Sequence, residues 1–188
     1  LLIPEDYGIY MVLWGMVEMM VPLSSLGMLE AVRRFLPELA TRGAPGVLIW
    51  FVRWMTLIRF VIIAAWAMLI AIFCSDIAAW MGFSASQQGA TLLAVGLIIT
   101  VIGFRYASEM LECLLEQRWS QMIHAFMPLG RLIGLAILVV TGSLGLEQLL
   151  WVDLIVSLSC FLLAEFFLMK KLRNLPGMGD FRVSVREI

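Results

Sequence analysis

Charge is scarce in this chain. Only 14% of its 188 residues are Asp, Glu, Lys or Arg, and 62% are hydrophobic, whereas water-soluble domains run near a quarter charged and half apolar. That balance excludes an ordinary soluble domain and points to a membrane protein. Thirteen basic and fourteen acidic residues leave a net charge of -1, so no basic excess is available to attract nucleic acid. Histidine occurs once, at His124, and Cys74, Cys113 and Cys160 are isolated from one another, without the close pairing of zinc or redox motifs. The chain has no Gly-rich phosphate loop with Lys-Ser or Lys-Thr, no His-Glu-x-x-His, no paired aspartates for a metal and no convincing Ser, His and Asp set. No catalytic residue, metal site or cofactor is therefore expected.

At roughly 20 residues per crossing, this length holds about five membrane spans and leaves no room for a separate catalytic domain. Apolar stretches run from Gly8 to Leu29, Trp54 to Cys74, Gly89 to Gly103, Met122 to Gly142 and Leu149 to Met169. The third has a short core; it is expected to begin within the polar connection Ser84 to Gln88 and to continue past Gly103. Such lengths favour helices over the alternating segments of a membrane barrel. The expected fold is an all-α, polytopic transmembrane helix bundle over residues 1–173, followed by a cytoplasmic linker over 174–188 that contains Pro176, Gly177 and Gly179.

Lys and Arg are absent from Leu1 to Val32, Phe60 to Phe104 and Leu132 to Met169. They gather at Arg33, Arg34, Arg42 and Arg53, at Arg105 and Arg118, and at Lys170, Lys171 and Arg173. These clusters fall at alternate span ends, and the excess of basic residues in cytoplasmic loops places them inside. Glu5 and Asp6, the Asp76 connection and the Glu147 turn then lie outside, with the C-terminal tail inside. Between the third and fourth spans, Met110, Leu111, Leu114, Leu115 and Trp119 oppose Glu109, Glu112 and Glu116 at helical spacing. This describes an amphipathic segment at the cytoplasmic surface or a helix end extending into water.

Several spans carry a small or polar stripe at helical spacing. The stripes are Gly15, Glu18, Pro22 and Ser25; Gly96, Thr100, Gly103 and Ala107; Gln117, Gln121, His124, Pro128 and Arg131; and Asp153, Ser157 and Cys160. Small residues of this kind also let membrane helices pack closely. An ionisable group near the bilayer centre costs about 3 kcal/mol or more, so Glu18, Arg131 and Asp153 are expected to face a partner, the bundle interior or water. Arg53 can snorkel to headgroups. Arg59 lies about 9 Å deeper and about 600° further round the helix, on another face, and is a candidate for holding an anionic ligand.

Pro4-Glu5-Asp6-Tyr7-Gly8-Ile9-Tyr10 entering a span, Ser25-Leu26-Gly27 near its end and then Arg33-Arg34-Phe35-Leu36-Pro37-Glu38 resemble the polysaccharide-flippase branch of the multidrug and oligosaccharidyl-lipid exporter superfamily. The later order of Glu116-Gln117-Arg118, a span with Arg131 and Gly134, a turn from Ser143 to Glu147 and Lys170-Lys171-Leu172-Arg173 is similar to the same family. The resemblance implies a two-lobe transporter of which this chain is a partial N-terminal lobe, lacking its first helix and joined to a missing second lobe of the same chain. It implies a multi-pass protein of the bacterial cytoplasmic (inner) membrane that flips a polyprenyl-diphosphate-linked oligosaccharide, an anionic glycan carrier, to the outer leaflet by alternating access. Arg33, Arg34, Arg59 and Arg131 are the candidates for holding diphosphate, because guanidinium donors match phosphate oxygens and stay charged. Glu18 and Asp153 are the candidates for binding a coupling H+ or Na+. Arg33 and Arg34 also fit the role of positive-inside anchors. A multidrug or toxin cation antiporter of the same superfamily and a non-transport membrane scaffold subunit are the competing readings.

Overall fold

The computed structural model describes residues 4–41, 45–80 and 88–174. They form seven helices, with no strand among the described residues: α1 Pro4–Ser25, α2 Met28–Thr41, α3 Pro45–Ile72, α4 Cys74–Trp80, α5 Gln88–Cys113, α6 Gln117–Thr141 and α7 Leu146–Arg173. Five of these, all except α2 and α4, are long and apolar enough to cross a membrane. The chain is thus an all-α, multi-pass membrane bundle. All of the expected linker over 174–188 except Asn174, and most of the Ser84 to Gln88 connection, lie outside the described residues.

The second span begins nine residues before Trp54, at Pro45. Its 28 residues extend about 42 Å, longer than the roughly 30 Å hydrocarbon layer. The apolar run Val47 to Val52 continues the helix ahead of Arg53, so Arg53 sits within α3 and Arg59 falls at its midpoint. The third span, read from sequence as the shortest, is a full 26-residue helix. It absorbs Met110 and Leu111, both buried, so of the two arrangements expected for this stretch these residues take the helix end. The sequence reading did not separate α2, a short amphipathic helix that buries Met28, Val32 and Leu36 and exposes Glu30, Arg33 and Arg34. It follows α1 across Leu26 (φ 43) and Gly27 (φ 77).

α5 is the axis around which the other helices pack. Gly96 lies beneath Leu154 and Gly103 beneath Phe161, the same step of seven on both helices, so α5 and α7 run parallel and in register. Thr100 joins this seam by a 2.7 Å hydrogen bond to Ser157. α6 returns antiparallel to α7, with Gly130 under Val156 and Gly134 under Val152. The α6 terminus is closed by Gly142 (φ 66), whose N–H meets Val139 O while Ser143 N–H meets Leu138 O, a turn that returns the last carbonyls to hydrogen bonding.

Two apolar clusters share this axis. One joins Leu13, Val17, Ile63, Ile98 and Leu150, and the other joins Val32, Leu36, Leu48, Met110, Ile123 and Leu168. The second lies toward the end of the bundle where Arg33, Arg34, Arg118, Lys170 and Lys171 gather, called here the basic end. Its helix termini are cross-braced by Lys171 to Glu116 at 2.6 Å, Ser120 to Glu112 at 2.8 Å and Trp119 stacked on Phe167 at 4.1 Å. Glu5, Asp6 and Glu147 lie at the opposite end. Arg33 bonds Glu109, and that hydrogen bond holds its guanidinium above the ordinary arginine range.

Candidate functional site

The deepest polar cluster joins three spans. Asp153, on the buried face of α7, is 2% exposed. Its Oδ2 accepts hydrogen bonds from Tyr10 Oη and Trp14 Nε1, both at 2.8 Å. Tyr10 and Trp14 are one turn apart on α1, so their donors converge on one carboxylate. Arg131 of α6 places Nε 3.1 Å from Asp153 Oδ1. The pair is at ion-pair distance, but the N–H is not aligned well enough for a hydrogen bond, and Nε and Nη2 remain buried without a hydrogen-bond partner. The guanidinium rests instead on Trp14, its Cζ 4.1 Å from the ring centroid. Cation–π contact and a grazing ion pair stabilise the charge, while unsatisfied donors keep it high in energy.

One turn further along α1, Glu18 meets Arg105 of α5. Nη2 of Arg105 donates to both carboxylate oxygens, at 2.6 and 2.8 Å. Here the side chains are 42% and 48% exposed. Glu18 lies about 10 Å from the near end of α1 and Arg105 about 12 Å from the near end of α5, by helical rise. Side chains lean toward their helix N-termini, so both lean away from the basic end and toward the middle of their helices. An exposed charge pair at such depth is costly against hydrocarbon.

The polar stripes of α1 and α6 border this pair. Glu18 and Pro22 are exposed on α1, as are Gln121, His124 and Pro128 on α6. His124 contacts Phe104, the residue before Arg105, at 4.9 Å between ring centroids. Pro22 and Pro128 have no N–H to offer the carbonyls four residues earlier, those of Glu18 and His124. Polar side chains and under-bonded carbonyls therefore share one side of the bundle, formed by α1, α5 and α6. The stripes of the third and fifth spans differ: Gly96, Thr100, Gly103, Ser157 and Cys160 form the sealed α5–α7 seam.

The four arginines expected to hold an anion are not brought together. Arg131 borders the polar side, with 31% of its side chain exposed. Arg33 and Arg34 are exposed on α2 at the basic end; Arg33 is engaged by Glu109, and Arg34 lies 5.5 Å over the Phe35 ring. Arg59 is 1% exposed, bonded to Ser24 O in the last turn of α1 and set over Tyr106 at 5.6 Å. A guanidinium on C-terminal carbonyls satisfies groups that the helix leaves open, so this contact ties α3 to the α1–α2 corner. Of the two carboxylates singled out for ion binding, Asp153 joins Arg131, and Glu18 joins a residue not singled out. Arg105 ends a long stretch free of Lys and Arg and thus reads as an interfacial charge; the helical spacing of Met110, Leu111 and Leu114 beyond it is the signal that the helix of the third span continues past Arg105. Tyr10 and Trp14, polar-tipped aromatics spaced i, i+4, were a second available signal.

The fold and this site define a multi-pass helical membrane protein with charged groups inside its spans. Comparison with protein-family models, with curated proteins and with solved structures finds no match to the chain.

Proposed function

We propose that this chain forms one lobe of a transporter that moves a polyprenyl-diphosphate-linked oligosaccharide from the cytoplasmic to the outer leaflet of a bacterial inner membrane by alternating access. The observation that carries this reading is the half-exposed Glu18–Arg105 pair, well inside the spans, on the same side as the partly exposed Arg131. A lipid-facing surface gains nothing from such groups, whereas a wet cavity or a covering lobe accommodates them. Sugars and diphosphate then travel along the α1, α5 and α6 side while the lipid tail stays in hydrocarbon. Arg33 and Arg34 at the basic end serve loading from the cytoplasmic leaflet, and Arg131 holds phosphate further in. Rocking against a second lobe exposes the cavity alternately, with a proton or sodium ion on Glu18 or Asp153 biasing the cycle.

The scaffold reading draws on a different observation: Glu18 and Asp153 already have arginine partners, and partner helices could seal the remaining surface. Transport separates the two. In cells making lipid-linked glycan, Arg131→Gln in the full-length protein should lower outer-leaflet lipid-linked sugar about tenfold or more at matched protein level, the scale of a lost charged hydrogen bond. Wild-type protein that leaves outer-leaflet sugar unchanged from a deletion strain contradicts the flippase reading, and ethidium efflux in that case supports the cation antiporter.

A further inference from the structure

Arg105 occupies an unusual position on α5. Between Leu93 and Cys113 it is the one exposed residue of a helix otherwise enclosed by its neighbours. The opening lies beside α1, where Glu18 covers part of the guanidinium. Both hydrogen bonds leave from Nη2, so among the described residues Nε and Nη1 have no acceptor. An exposed ion pair is worth only about 0–1 kcal/mol. Glu18 is therefore a weakly held counter-ion, and because Nη2 belongs to both two-donor edges of the guanidinium, Nη1/Nη2 and Nε/Nη2, its departure frees an edge that fits two oxygens of a phosphate.

A related arrangement is present one turn away on α1. Trp14 carries Arg131 on its ring, and Asp153 neutralises Arg131 from the buried side. The α1 residues touching the two arginines, Trp14 and Glu18, are about 6 Å apart along the helix axis, so adjacent turns of α1 meet both guanidinium groups. Asp153 is fixed by Tyr10 and Trp14, whereas Glu18 has Arg105 alone among the described residues. Of the two carboxylates, Glu18 is the one that can leave.

Resting on the transport reading above, we infer that Glu18 masks a diphosphate site: in the ligand-free lobe it occupies Arg105, and the substrate's diphosphate displaces it to bind Arg105 together with Arg131. The displaced Glu18 carboxylate becomes available to the coupling cation, so that substrate and cation load together. Arg105 is thus a substrate-binding residue, and Glu18 sets its affinity by competition.

The test uses full-length protein in nanodiscs of neutral lipid, with farnesyl diphosphate as the probe and farnesol as the control for its tail, read by calorimetry. Arg105→Gln should weaken farnesyl diphosphate binding about tenfold, the scale of a charge-assisted hydrogen bond. Glu18→Gln, which removes the competing charge, should tighten it severalfold, and this gain should vanish in the Arg105→Gln background. If Arg105→Gln does not fold, Arg105→Lys, which keeps the charge without the planar fork, should show a smaller loss and the same reduced response to Glu18→Gln. Wild-type binding that is unchanged or weakened by Glu18→Gln overturns the masking role and leaves the transport reading standing. Farnesyl diphosphate binding no tighter than farnesol overturns both.

Discussion

Asp153→Ala should destabilise the bundle by about 3–5 kcal/mol, the cost of removing one partner from a buried ion pair. The carboxylate is almost fully buried, accepts from Tyr10 and Trp14 and lies at ion-pair distance from Arg131. Without it, two donors lose their acceptor and a guanidinium that already has two unsatisfied nitrogens loses its counter-charge. Asp153→Leu combined with Arg131→Met removes both charges while keeping apolar volume, and should recover most of the loss, because a buried ion pair contributes little net stability relative to well-packed apolar groups. Unfolding midpoints of purified protein in mild detergent, titrated with a denaturing detergent, check both expectations. A double variant as unstable as Asp153→Ala would show that the cluster's hydrogen bonds, and not charge compensation, set the energy.

The second large effect lies in the α6–α7 seam. A methyl group at Gly134 would come within 2.3 Å of Val152 Cγ1, and a valine on a helix has little rotamer freedom with which to move aside. Gly134→Ala should therefore cost about 1–3 kcal/mol through overpacking, despite alanine's better helix propensity. Val152→Ala in the same chain should return much of that stability. Gly15 supplies the control: a methyl group there meets nothing within 4 Å, so Gly15→Ala should be neutral or stabilise by up to about 1 kcal/mol. The same unfolding measurement distinguishes the two sites. Equal effects at Gly134 and Gly15 would contradict the close approach of α6 to α7.

These two sites also show what could be read from sequence. Five spans are legible because a run of some twenty apolar residues has few other folded solutions. The start of α3 is obscured in the sequence because Arg53 resembles a boundary, yet a 28-residue helix can carry an arginine well inside its end. α2 is not legible in the sequence because fourteen residues with four charges and Pro37 inside match neither a span nor a plain loop. Helical periodicity tells which residues share a face; it does not tell which helix lies opposite. Thus the small residues Gly96, Thr100 and Gly103 favour a packing seam over a pore stripe without naming the helix they pack against, and the in-register run of α7 supplies it. The Arg131–Asp153 and Glu18–Arg105 pairs join residues far apart in the chain, and spacing alone could not place them together. Depth inside an apolar stretch marked Glu18, Arg131 and Asp153 as unusual, and all three lie in the two polar clusters.

The central claim is that the side formed by α1, α5 and α6 faces water, not lipid. The direct measurement is thiol accessibility in full-length protein freed of Cys74, Cys113 and Cys160, with single cysteines at Gly15, His124, Pro128, Ile133 and Val140. Ile133 and Val140 are exposed apolar residues of α6, turned away from the polar stripe by helical spacing. In intact membranes, a charged, membrane-impermeant maleimide should label Gly15, His124 and Pro128 and leave Ile133 and Val140 unmodified. Labelling of the stripe positions no faster than Ile133 and Val140 would contradict a hydrated transport surface.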